Sequence, residues 1–135
     1  MGKFTREQIE QAFNEAKRLR LWNADKLEDI DRAVEVCNGI GAEWMPAIMR
    51  DLADALSPVM VLPSMIHDIE YHIGGDDHDR LAADVTFYTN VLFCIEEKYN
   101  WYNPLRYIMY FRARRYYEYL RTAGGQAFNK KEAAK

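Results

Sequence analysis

Apolar residues recur along the chain at helical spacing, and polar or glycine-rich breaks separate one apolar series from the next. In "TREQIEQAFNEA" Ile9, Phe13 and Ala16 line one face of a helix, and Thr5 with Gln8 forms a capping-box pair ahead of them, predicting a first helix to about Leu21. Asn23 is read as the cap of a second helix whose Leu27, Ile30, Val34 and Cys37 face one way, and "NGIG" (Asn38 to Gly41) stops it. A third helix is predicted from near Pro46, with Leu52 and Leu56 inward, ending at Ser57 and Pro58. The "VMVL" run, Val59 to Leu62, is apolar enough for one short extended segment. Pro63 opens a fourth helix that halts at Gly74 and Gly75, Asp77 or Asp79 begins a fifth running to about Tyr99, and Asn103 with Pro104 starts a sixth that ends before Gly124. The pattern predicts a mainly α fold: a single domain of five or six helices over residues 1–128. Residues 1–22 form its N-terminal amphipathic helix, and 129–135 are a polar, mobile tail.

Composition narrows the functional classes. The chain has 135 residues, and about half are apolar, enough for one core without cross-links. A formal net charge of −3 leaves no basic excess, which argues against nucleic-acid binding through phosphate neutralisation. No apolar run approaches the roughly 20 residues of a membrane span, and the polar N-terminus has no hydrophobic signal core. Cys37 and Cys94 are too few for a disulfide framework. The expectation is a soluble protein made and kept in a cytoplasm, without a transmembrane segment or signal peptide.

Candidate chemistry concentrates in "SMIHDIEYHIGGDDHDRLAADVTF". His67, Asp68 and Asp84 stand among residues that should pack, and a buried charge without a partner is costly. His67 and Tyr71 lie one turn apart on one helix face, with Asp68 rotated about a quarter-turn away. The Gly74–Gly75 turn sends the chain back as an antiparallel partner, so Asp84 can lie opposite His67 and accept from the Tyr71 hydroxyl. A His–Asp pair fixes the imidazole tautomer and raises its basicity, as a general base requires. The same three residues also suit a purely structural polar network. "CNGIG" can present carbonyls to a hard cation whose carboxylate is Asp68, or it can simply end a helix.

The order "CNGIGAEWMP", "SMIHDIEY", "RLAADVTF" and "RARRYYEYLRTAGGQAF" resembles a family of phage and prophage proteins of the phospholipase A2-like class. The resemblance covers about Cys37 to Phe128. It implies a calcium-dependent lipid or ester hydrolase in which His67 activates water, Asp84 orients it and Tyr71 hydrogen-bonds Asp84. Asp68 would bind calcium with the loop that Gly39 and Gly41 shape. A phospholipid or membrane surface would be the substrate, and a phage or host protein a further partner. Two departures stand out: Ile40 and Ser64 occupy positions where the class carries paired cysteines, and Ala42 to Leu62 is longer than the usual connection. The alternative is a non-enzymatic phage structural or host-interaction protein that keeps the scaffold. Oligomeric state is not legible.

Other residues pull less. His72 and His78, with Asp76, Asp77 and Asp79, read as a solvated turn rather than a transition-metal site, because no pair sits at i,i+4 on an uninterrupted helix. An HD-type phosphohydrolase needs a histidine before the dipeptide, and none precedes His67. The arginines at 106, 112, 114, 115 and 121, interleaved with tyrosines, read as a solvated or partner-facing helix rather than a grip on nucleic acid or lipid headgroups.

Overall fold

The computed structural model describes residues 4–37 and 47–128. Its elements are α1 (Arg6–Arg18), a 3-10 turn (Ala24–Leu27), α2 (Ile30–Val36), α3 (Ala47–Ile73), α4 (Asp77–Lys98), α5 (Pro104–Ala123) and a closing 3-10 turn (Gly124–Ala127). Among the described residues there is no β-strand, and the fold is the expected mainly helical single domain. The "NGIG" segment, with Gly39, Ile40 and Gly41, and the tail at 129–135 lie outside the described residues.

The start signals work as their chemistry demands. Thr5 Oγ1 accepts from the Gln8 N–H at 3.1 Å while Gln8 Oε1 accepts from the Thr5 N–H at 2.8 Å, closing the capping box of α1. Asp76 and Asp79 make the same reciprocal pair ahead of α4, each bond 3.0 Å long. Two of the acidic residues in the turn are therefore committed to satisfying orphan helix N–H groups. Asn103 caps α5, and Pro104 occupies the first turn, where no intrahelical N–H is needed.

The second helix departs from expectation. Asn23 makes no side-chain cap; its backbone is left-handed at φ 59°, and its side chain donates to Glu70 Oε2 at 3.0 Å. The cap role passes to Asp29, whose Oδ1 accepts from the Arg32 N–H at 3.1 Å, so the predicted helix divides into a 3-10 turn and the short α2.

The third and fourth predicted helices are one. α3 runs for 27 residues through Pro58 and Pro63, and "VMVL" is helical within it. Each interior proline forfeits a backbone hydrogen bond and costs on the order of 3 kcal/mol against alanine. Burial on both sides of the interruption offsets that cost: Leu56, Val59 and Met60 before Pro63, and Met65, Ile66 and Ile69 after it, all enter one core. Local breaker rules saw the prolines but not the continuous apolar face.

The turn between α3 and α4 requires glycine. Gly74 and Gly75 have φ of 72° and 139°, and a Cβ on Gly75 would meet Asp79 Oδ2 at 2.0 Å. The turn makes α3 and α4 antiparallel neighbours: Tyr71 and His67, going down α3, meet Asp84 and Phe87, going up α4. α5 packs across both. Farther along α4, buried Asn90 clamps the backbone of Trp22, accepting from its N–H at 2.7 Å and donating to its carbonyl at 3.0 Å. No described helix is long and apolar enough to cross a membrane. Cys37 and Cys94 are free and buried.

Candidate functional site

Asp84 is the centre. It is fully buried in α4, and groups from three helices converge on its two oxygens. From α3, His67 Nε2 lies 2.8 Å from Oδ1, and the Tyr71 hydroxyl donates to the same oxygen at 2.5 Å. From the last turn of α5, Arg121 Nη1 donates to Oδ2 at 2.5 Å. Arg80, one turn before Asp84, holds its Nε 4.0 Å from Oδ2. Burial pushes the Asp84 carboxyl up, but the hydrogen bonds from His67 and Tyr71, the His67 charge and the Arg121 bond more than offset it, so its pKa lies below the ordinary carboxylate value. A buried carboxylate is affordable here because both oxygens are satisfied.

The rings pack as well as bond. His67 meets Tyr71 in a tilted ring contact with centroids 4.1 Å apart, the Phe87 ring centre lies 5.0 Å from that of the imidazole, and Phe128 meets Tyr71 edge-on at 5.1 Å. This aromatic wall fixes the imidazole plane so that Nε2 faces Asp84. Burial first, and then the bond and charge of Asp84, push the Tyr71 hydroxyl well above its usual pKa, so Tyr71 stays a donor. Among the described residues the other ring nitrogen of His67, Nδ1, has no hydrogen-bond partner.

Sequence reasoning placed His67, Tyr71 and Asp84 together and missed both arginines. The i,i+4 spacing of Arg80 and Asp84 on one helix was a readable signal. Arg121 gave none, being 37 residues away and one of several arginines in its helix. Arg80 also holds Arg121 in position indirectly, because its Nη2 donates to the carbonyls of Leu120 and Arg121 at 2.6 and 3.2 Å and so caps the end of α5.

Asp68 follows His67 on α3, about a quarter-turn round the helix. It is half-buried, and its charge helps raise the pKa of Cys37 and Tyr116, in both cases after burial itself. Cys37, at the end of α2, donates its thiol to the Met65 carbonyl at 3.4 Å. Ser64 Oγ donates to the Val61 carbonyl at 2.7 Å, within its own helix. Of the calcium ligands that the resemblance implies, Asp68 is the one inside the described residues; Gly39 and Gly41 are not. Among the described residues no group of three or more His, Cys, Asp or Glu side chains could hold a metal ion.

Glu70, beside Tyr71, sets a testable pH response. Its Oε2 accepts from Asn23, while its buried Oε1 has no hydrogen-bond partner among the described residues. Burial, partly offset by Asn23 and Lys26, pushes its pKa up to about 7. A folded-state pKa above the unfolded value means full stability at low pH, lost as pH rises through about 7. Glu70→Gln removes that loss while keeping an acceptor for Asn23. Its stability relative to wild type should therefore rise by about 1–3 kcal/mol between mildly acidic and mildly alkaline solution, read from denaturant midpoints at both ends. A pH-independent difference would refute the assignment.

No protein-family model matches the chain, and neither a curated protein nor a solved structure does.

Proposed function

We propose that the chain is a phospholipase A2-type lipid or ester hydrolase, of the phage and prophage group whose motif order it resembles. The observation that carries the reading is the 2.8 Å contact between His67 Nε2 and Asp84 Oδ1. With Nε2–H donating to a carboxylate, the proton is absent from Nδ1, which is then the basic atom. Nδ1 takes a proton from water as the water oxygen bonds to the ester carbonyl carbon. The same proton passes to the alcohol oxygen as the ester bond breaks, releasing acid and alcohol and restoring His67. Asp84 holds the tautomer and stabilises the transient imidazolium, and Tyr71 and Arg121 hold Asp84. Calcium, when bound, would supply positive charge for the oxyanion and the substrate phosphate. Asp68 suits that role as a hard oxygen donor whose charge is felt at Cys37, the residue that leads into the glycine segment.

One observation favours the alternative of a non-enzymatic protein that retains the network. Arg121 neutralises Asp84 directly, which weakens its ability to stabilise an imidazolium and suits a structural tie between α5 and the hairpin. The two readings part in one assay: fatty-acid release from phospholipid vesicles with calcium or with a chelator. Calcium-dependent release supports the hydrolase. No release, with no calcium-induced rise in unfolding temperature, supports the structural reading, because a ligand that binds only the folded state must stabilise it.

A further inference from the structure

The outer face of α5 and the turn before it are more apolar than a water-facing surface needs to be. Trp101, Tyr102 and Phe111 are 72, 67 and 63% exposed, and Leu105, Tyr107 and Ile108 are also exposed beside them. Their positions are structured: the Tyr107 hydroxyl donates to the Trp101 carbonyl at 2.6 Å, and Trp101 meets Tyr102 edge-on. Six large apolar side chains at one end of a helical hairpin exceed the scattered exposure usual on a monomer.

Charge says what covers them. α5 holds five arginines against one carboxylate, in a chain whose formal net charge is −3. Arg106 faces Glu96, Arg114 faces Glu118 and Arg121 is spent on Asp84. Arg112 and Arg115 have no acidic partner among the described residues. Arg112 reaches Met109 Sδ, and the Arg115 guanidinium lies 5.8 Å from the Phe111 ring centre. An apolar tip with unpaired cations beside it calls for a surface that is both oily and anionic. A second copy would set arginine against arginine. Single-stranded nucleic acid would use the aromatic faces but gain little from Leu105 and Ile108, which offer no ring to stack on.

We infer that the face running from Trp101 in the turn before α5 to Phe111 on it, with Arg112 and Arg115, docks the protein onto an anionic lipid surface. Tryptophan and tyrosine rings settle at headgroup level, Leu105, Ile108 and Phe111 reach the acyl boundary, and the two guanidinium groups meet lipid phosphates. Docking needs no hydrolysis and stands apart from that reading.

Sedimentation with phosphatidylglycerol-rich vesicles tests it, with pure phosphatidylcholine vesicles as the control. The full chain should bind the anionic vesicles, less as salt is raised. Arg112→Gln with Arg115→Gln should weaken binding on the order of 30-fold, from the gain expected per cation near a charged membrane. Ile108→Ser with Phe111→Ser should weaken it at least about tenfold, and both pairs should melt as wild type does because these positions lie outside the core. Wild type that leaves the vesicles in solution overturns the proposal, as does equal binding by wild type and both variants. So does a dimer that Phe111→Ser dissolves, or binding to single-stranded nucleic acid in place of vesicles. Vesicle binding with release from neither vesicles nor a soluble short-chain ester sinks the hydrolase reading and leaves docking intact; release from the soluble ester without vesicle binding does the reverse.

Discussion

Asp84→Ala should cost about 3–5 kcal/mol of folding stability, the largest effect expected of a single substitution in this chain. The carboxylate accepts from His67, Tyr71 and Arg121, and it is fully buried. Alanine leaves two buried donors and one half-buried cation without their acceptor, and it breaks the bond that joins α5 to the α3–α4 hairpin. Asp84→Asn keeps the volume and one acceptor oxygen, but its amide N–H₂ must face a donor. Arg121, the most exposed of the partners, can swing into water, so the expected cost is smaller, about 1–3 kcal/mol. The two variants also differ from wild type in acid. Because the folded-state pKa of Asp84 is depressed, its contribution is present above the unfolded value and is lost as pH falls through the folded one, below about pH 4. Urea midpoints measured from neutral to acid pH should fall more steeply for wild type than for Asp84→Asn. Parallel curves, or an unchanged midpoint in Asp84→Ala, would mean that the network contributes nothing to folding.

If the proposed hydrolase reading holds, His67→Gln should lower ester hydrolysis by at least about 10²–10⁴-fold while the protein stays folded. Glutamine can still donate from its amide to Asp84 Oδ1 and fill much of the space between Tyr71 and Phe87, but it has no basic nitrogen. The fall should appear in kcat, since proton transfer belongs to the transition state and not to substrate binding. Circular dichroism must show the helices intact for the comparison to hold. Activity equal to wild type in this variant would remove His67 from the mechanism and, with it, the hydrolase reading as stated.

The sequence alone determined the helical class, the Thr5–Gln8 capping box, the Asn103 cap and the hairpin that sets His67 and Tyr71 against Asp84. Those features are local: Thr5 finds Gln8 within one turn, Gly74 and Gly75 are demanded by positive φ, and a short turn leaves the next helix little choice but to return along the last. The acceptor role of Asp84 was legible for the same reason, since a carboxylate between apolar residues needs donors, and the facing helix offered two. Only the tertiary structure decided that α3 continues through Pro58 and Pro63, because the energy that overrides a proline comes from burial against the rest of the core. It also decided that Asn23 serves Glu70 instead of a helix N-terminus, a choice between two hydrogen bonds that depends on where α3 lies. Arg121 belongs to the same class. One of five arginines in α5 is drawn into the site, and what selects it is the packing angle of that helix and the Arg80 cap that holds its end. A side chain's local pattern states what it can bond, while its partner from a distant helix is fixed by how the helices pack.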